Sequence, residues 1–535
     1  MCCVKHSRQM TELASGKRGR GARRQVVSFG ANSSRSGIVA SPLSQLVLNS
    51  RLRAYLDILV VGSGARMFGL ASNFVVLLML SRFLPKDNFG DLMTAFGFYR
   101  LAGIALGVGG SLVLLFHVSR RVDDHAHEVR LQRFSALAAA LPSAAIALVA
   151  VLGADPVAHA LGKPSLAGWL QQLAPFLVFS SLLIVATGAL EGRSRIAESI
   201  FWGEVAPNAV RIMLLPLVAV LHLPQAYVAH VLTLSVLLPW LWLSRRMWDR
   251  SVRGWQRWSG WDFSYCGKFV ASTLFANQLG AVDIVIASIL FSSATVADYA
   301  VAARLAALFT FFQLALLKRF APRAGQLLQA KEQATLHGEV EVCRRLTIGC
   351  TALTIAGVLA LAPVALPLLG NFMDARVLLI WLAIPSLVQS FYAASDRLLI
   401  IAGQANVALI FTAASFAMLV VSPFATAAWL GPLAIPAAMI FSMVCFNPLI
   451  AVRARRLVGV RTIALSDAAL IACGSLALAA SAIVPSFINA AITYGLLGVI
   501  GVYYIMTATA RSAADDYDSA LLLGARTPVS DKASK

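Results

Sequence analysis

A chain of 535 residues that is 59% hydrophobic and 13% charged, with mean hydropathy +0.75, has too little polar surface for a water-soluble globule. Such globules are roughly half apolar and about a quarter charged. The bilayer is therefore the expected solvent, and the formal net charge of +20 reads as topology and attraction to anionic lipids rather than as nucleic-acid binding.

In chain order, residues 1–56 are rich in Arg, Ser and Gly with Glu12 as the sole acid. This predicts a disordered basic cytoplasmic tail with some transit-peptide character. No apolar run precedes the first span, so a cleaved signal peptide is not expected. Apolar runs of about 20 residues, each long enough to cross the hydrocarbon core, follow at 57–81, 90–117, 133–153, 168–190, 204–222, 225–243, 269–291, 296–317, 346–370, 376–400, 406–430, 432–452, 464–484 and 487–509. The expectation is an all-α polytopic membrane protein of about fourteen helices. Of the 45 Lys and Arg, 37 fall in the tails and the loops after even-numbered helices, whereas the opposite loops hold only Arg82, Lys86, Lys163 and Arg376. Both termini are then cytoplasmic.

The chain also repeats itself. Arg100-Leu101-Ala102 in helix 2 is echoed by Arg304-Leu305-Ala306 in helix 8, and GRSRIA at 192–197 by GQANVA at 403–408. Six helices per repeat place both halves in the membrane in the same sense. The predicted organisation is a lobe at 57–243, a linker at 244–268, a second six-helix lobe at 269–460, two additional helices at 461–510 and a cytoplasmic tail at 511–535. The linker interleaves Trp248, Trp255, Trp258 and Trp261 with Arg, a pattern suited to the anionic headgroup layer.

Four arginines, Arg66, Arg100, Arg211 and Arg304, fall inside spans. At about 2.5–3.5 kcal/mol each on insertion scales, they would together cost on the order of 10–14 kcal/mol if nothing relieved them. Arg211, near a cytoplasmic end, can snorkel and is a secondary candidate. Asp283 in helix 7 comes to the same level as Arg304, so it is either an ion-pair partner or an ion-coupling group. Three cations against one acid leave an excess that suits a wet cavity for a phosphate or diphosphate, which Arg binds bidentately. Arg66, Arg100 and Arg304 are thus the expected substrate-binding residues.

The run 283–330, with Asp283, Tyr299, Ala303-Arg304-Leu305-Ala306 and Ala321-Pro322-Arg323, resembles the seventh and eighth helices of polysaccharide-biosynthesis flippases of the multidrug/oligosaccharidyl-lipid/polysaccharide exporter superfamily. LSRFLPKDNFGDL at 80–92 is similar to that family's first outer loop, and LGPLAIPAAMIFSMVCFN at 430–447 to its entry into helix 12. The resemblance covers about 57–465. It implies two six-helix lobes and alternating access. The implied cargo is a sugar chain on a polyprenyl diphosphate, such as a lipopolysaccharide or exopolysaccharide unit, moved across a bacterial inner membrane by a monomer. Glycan polymerase or chain-length proteins would be partners. Related lipid II flippases carry cavity arginines in helices 1, 2 and 8, which Arg66, Arg100 and Arg304 match by helix. Ser292-Ser293-Ala294-Thr295 replaces the outer-loop glycines of the family, and helix 2 is rich in glycine (Gly103, Gly107, Gly109, Gly110).

Two rivals are a cation-coupled multidrug exporter of the same superfamily and a membrane polysaccharide polymerase or ligase. The first sits poorly with an interior Arg in helix 1, the second with short outer loops and scattered acids. The chain has no G-x-x-x-x-G-K-[ST] phosphate loop, and GSGARMFG at 62–69 misses the dinucleotide fingerprint. DDHAHE at 123–128 reads as a solvated charge run. Seven cysteines without a C-x-x-C pair indicate neither a disulfide framework nor zinc, although Cys2 and Cys3 could accept acyl groups. No enzyme activity, cofactor, metal or nucleic acid is expected.

Overall fold

The computed structural model describes residues 63–120, 124–193, 195–245, 252, 267, 270–271, 281–370, 372–484 and 486–524. The tail 1–56, the tryptophans of the linker and most of helix 7 lie outside the described residues. So does the side chain of Arg66, whose backbone belongs to the first helix.

Among the described residues the regular structure is helical, without strands. In hydrocarbon every backbone N–H and C=O must be bonded within the chain, and a helix achieves this locally. The first half comprises α1 (Ser63–Phe83), α2 (Lys86–Arg120), α3 (His125–Leu152), the short α4 (Ala154–Ala160), α5 (Pro164–Gly192), α6 (Ile196–Val220) and α7 (Tyr227–Ser244). The second comprises α8 (Asp283–Leu290), α9 (Ser293–Ala306), α10 (Phe311–Ala330), α11 (Gln333–Leu369), α12 (Ala375–Ile401), α13 (Ala405–Leu430) and α14 (Ala434–Val458). Then come α15 (Leu465–Ile483) and α16 (Phe487–Gly524).

Among the described residues, ten stretches are long and apolar enough to cross a membrane, or eleven if the bent pair α9–α10 is one span. One of the ten, Asn406–Val458, holds both α13 and α14, which pack on each other about the turn at Gly431, where φ is +53°. The described parts of α1 and α8 are too short to count. Each predicted apolar run therefore has a helix, and the all-α polytopic expectation holds.

Helix 8 departs from expectation. It is not one continuous span but two helices bent by 44°, joined at Ala307–Thr310, where backbone bonds shorten to Leu308 N to Leu305 O and Phe309 N to Ala306 O. Helix 5 also departs, carrying a π turn at Phe201–Val205, a feature that often re-aims side chains at functional sites.

Packing falls into two sets. In the first, α5 lies against α2, α3 and α7; in the second, α12 lies against α9, α11 and α14, with α15 and α16 on α12 and α11. The glycines of α2 let α5 approach. A Cβ on Gly107 would stand 2.8 Å from Ser181 O, and one on Gly103 would stand 2.6 Å from Ser180 Oγ. Such close contact suits helices whose association gains nothing from expelling water.

The sets meet mainly at the end bearing the α1–α2 turn. Lys86 Nζ lies 2.8 Å from Asp298 Oδ2, and buried Asp91 accepts hydrogen bonds from Ser165 of α5 and Ser293 of α9. Lys163 Nζ donates to Ser288 O at 2.7 Å. Ser81 Oγ and Arg82 Nε donate to Leu369 O and Leu368 O, each at 2.7 Å. Gly90 sits at the crossing of α2 and α9, where a Cβ would fall 1.9 Å from Ser293 O. That end of the bundle is shut.

Candidate functional site

Below the shut end lies a cavity of about 650 Å³, walled by α1, α2, α5, α6 and α7 on one side and by α9, α10, α12 and α14 on the other. Arg100, Arg211 and Arg304 all face it, with Glu204 and the amides Asn73, Asn208, Gln313 and Gln389. Counted at 1.5 Å per residue from the helix ends at the shut face, Arg211 and Arg304 lie about 14 and 17 Å deep. Arg100 lies about 21 Å and Glu204 about 24 Å deep.

Each arginine is held differently. Arg211 is buried and donates from Nε to Ser235 Oγ at 2.9 Å and from Nη1 to Asn208 Oδ1 at 3.1 Å. Snorkelling is thus overturned: the α6 face that carries Arg211 turns to the cavity rather than to lipid, and local partners orient the guanidinium. Arg304 places Cζ 5.9 Å from the Phe96 ring centroid, and Arg211 places its own at 5.7 Å from the same ring. One aromatic ring thus serves two like charges, and Phe96 leans on Phe176 at 5.1 Å. Arg100 lies within electrostatic reach of Asp283 and Glu204.

Among the described residues neither Arg100 nor Arg304 makes a hydrogen bond or an ion pair. Their guanidinium donors face open space, ten N–H groups between the two side chains. Asp283 and Arg304 form no close salt bridge, although the two charges lie within electrostatic reach. Asp283 is fully buried, where it accepts from Tyr299 Oη at 2.9 Å and from Ile284 N at 2.9 Å. The intervening turn sets Asp283 and Tyr299 on facing sides of α8 and α9. Tyr299, singled out only as an aromatic of the motif, is thus a hydrogen-bond partner of Asp283.

Glu204 escapes a count of cations. Its position at the head of an apolar run suggests a helix mouth, yet the π turn brings Gly203 and Glu204 to the cavity wall. The neighbouring Gly203 and Pro207 are the only sequence hint of irregular helix there. Among the described residues no group of three or more His, Cys, Asp or Glu is placed to hold a metal ion, and Cys343, Cys350, Cys445 and Cys473 are free thiols.

The described residues thus form a two-set helical bundle around a charged cavity that is shut at one end. Residues 79–335 match the family model described as "Polysaccharide biosynthesis protein". That interval contains both the 80–92 and the 283–330 segments that carry the family resemblance, so the recognition holds there; the 430–447 segment lies beyond it. No curated protein matches the sequence. Among solved structures, the chain is similar to an inward-facing multidrug resistance MATE family transporter of the MOP superfamily, with TM-score 0.61 and 15% identity, over 73% of this chain and 95% of the other. It is also similar to the outward-facing conformation of such a transporter, with TM-score 0.56 and 14% identity over 76% and 96%. A third is a MOP superfamily transporter from Pyrococcus furiosus Vc1, described by a reversed polarity of its binding pocket, with TM-score 0.56 and 14% identity over 76% and 96%. The chain is an integral membrane protein with a MATE-like all-α fold.

Proposed function

We propose that this protein is a flippase. It takes a polyprenyl-diphosphate-linked oligosaccharide or exopolysaccharide repeat unit from the cytoplasmic leaflet of a bacterial inner membrane and delivers it to the outer leaflet by alternating access. The observation that carries this reading is the pair of guanidiniums, Arg100 and Arg304, aimed without hydrogen-bond partners into a shared cavity with Arg211 beside them. Arg forks suit phosphate oxygens. The headgroup enters between the halves while the polyprenyl tail stays in lipid, and no covalent bond is made or broken. With Lys and Arg concentrated on one face of the predicted topology, the termini are cytoplasmic. The shut α1–α2 end is then the outer one, and the cavity is inward-open. Arg66, on α1, is the third member of the expected set. Anionic lipids would hold the basic cytoplasmic face, and glycan polymerase or chain-length proteins would receive the product.

Neighbours named as multidrug transporters favour one other reading, a cation-coupled exporter. Cationic drugs are ill-suited to a cavity with three arginines and one glutamate, and the Pyrococcus furiosus neighbour is described by a reverse polarity of its binding pocket that suggests a different function. The test is reconstitution into liposomes containing a short-chain polyprenyl diphosphate disaccharide with a fluorescent sugar. Protein-dependent exchange of the headgroup between leaflets is expected. Transport of a cationic dye without headgroup exchange would overturn the proposal in favour of the exporter.

A further inference from the structure

We infer that Glu204 is a charge filter that admits repeat units whose diphosphate-proximal sugar is neutral or amino-bearing and turns away those in which it is a uronic acid. This rests on the flippase reading and concerns the same cavity. The cavity lining is segregated: the guanidiniums of Arg100, Arg211 and Arg304 lie nearer the shut end, and the one carboxylate among the described lining residues, Glu204, lies about 3 Å further toward the other end than Arg100 at 1.5 Å per residue. Glu204 is exposed to the cavity, and among the described residues it makes neither a hydrogen bond nor an ion pair. Arg100 is within its electrostatic reach, but the two do not close onto each other.

The chain keeps the two charges apart by its backbone. The π turn sets Glu204 on the α6 wall, and Gly69 of α1 opposite leaves room beside it, so that even a Cβ there would remain 3.7 Å from Oε2. Asn208, one turn along α6, is already committed to Arg211 and to Gly69 O. Thr187 of α5 flanks Gly203, with its methyl 3.3 Å from where a Cβ would stand. A ligand whose phosphates engage Arg100 and Arg304 thus presents its first sugar to Glu204, Thr187 and Ser180.

An ionised carboxylate only accepts hydrogen bonds. It therefore rewards sugar hydroxyls, acetamido N–H groups and ammonium groups, and it repels a second carboxylate. At a separation of about 8 Å in a half-aqueous cavity, that repulsion amounts to about fivefold in rate or affinity.

The test compares two short-chain polyprenyl diphosphate probes in proteoliposomes, one carrying N-acetylhexosamine as the first sugar and one carrying hexuronic acid. Wild type is expected to flip the neutral probe about fivefold faster. Glu204→Gln should raise the uronate rate until the two agree, Glu204→Asp should retain the preference, and thermal unfolding should show all three proteins folded alike. Equal rates in wild type, or a preference untouched by Glu204→Gln in folded protein, would overturn the inference while leaving the flippase reading standing. Failure of wild type to flip either probe would overturn both.

Discussion

Replacing Arg304 by Ala should weaken transport while leaving the fold at least as stable, so that one side chain separates the two effects. A guanidinium at mid-bilayer costs about 2.5–3.5 kcal/mol on insertion scales, and Arg304 gains the Phe96 ring at 5.9 Å, worth about 0.5–2 kcal/mol. About 0.5–3 kcal/mol remains unrelieved in the empty protein, less whatever cavity water and the charge of Asp283 return. Removing the side chain should therefore leave thermal stability unchanged or raise it. With substrate bound, the same guanidinium would supply a charge-assisted contact to phosphate worth about 1.5–3 kcal/mol. Its loss should weaken headgroup binding about 10- to 150-fold, with Arg304→Lys in between because it keeps the charge and loses the fork. The assays are thermal unfolding of the purified protein in detergent and concentration-dependent headgroup exchange in proteoliposomes. A fall of several degrees in Tm with exchange lost only in proportion to folded protein would make Arg304 a structural residue and refute the reasoning. Undiminished exchange would refute it from the other side.

Gly90→Val places a side chain where a Cβ already overlaps Ser293 O at 1.9 Å. The shut end should part at a cost of about 1–3 kcal/mol or more, read as loss of cross-linking of a Lys86→Cys, Asp298→Cys pair by a short bifunctional thiol reagent that spans the Lys86–Asp298 contact and as a drop in transport. Cross-linking that proceeds as readily when Gly90→Val is added would show that α2 and α9 do not meet there. Asp467→Ala should destabilise by about 3–5 kcal/mol. Arg344, at 3% exposure, pairs with Asp467 Oδ2 at 2.8 Å and donates to Thr462 O at 3.1 Å, tying α11 to the base of α15. The double change Arg344→Leu, Asp467→Leu should recover most of that loss in the same thermal unfolding measurement, and an unchanged Tm in Asp467→Ala would mean the pair is not closed in the membrane.

The span pattern was legible because membrane insertion depends on local apolarity, summed over about 20 residues, and needs no knowledge of neighbours. The same property exposed Arg100 and Arg304, since an arginine in such a run stands out without any tertiary information. The bend after Arg304 was not legible: 305–317 carries no charge, and the break at Ala307–Thr310 contains neither Pro nor Gly. Glu204 was hidden for a related reason. Hydropathy places it at a helix mouth, and only the π turn and the approach of Gly69 bring it to the cavity.

The sequence by itself determined that this chain lives in a bilayer as a polytopic helical protein and which side chains are too costly to leave in lipid, because each of these follows from the transfer energy of residues taken in order. Only the tertiary structure decided which of those side chains share a space. Helix faces are set by packing over hundreds of residues, so it took the assembled bundle to turn Arg211 inward beside Phe96, to commit Asp283 to Tyr299 and to leave Arg100 and Arg304 facing an open cavity.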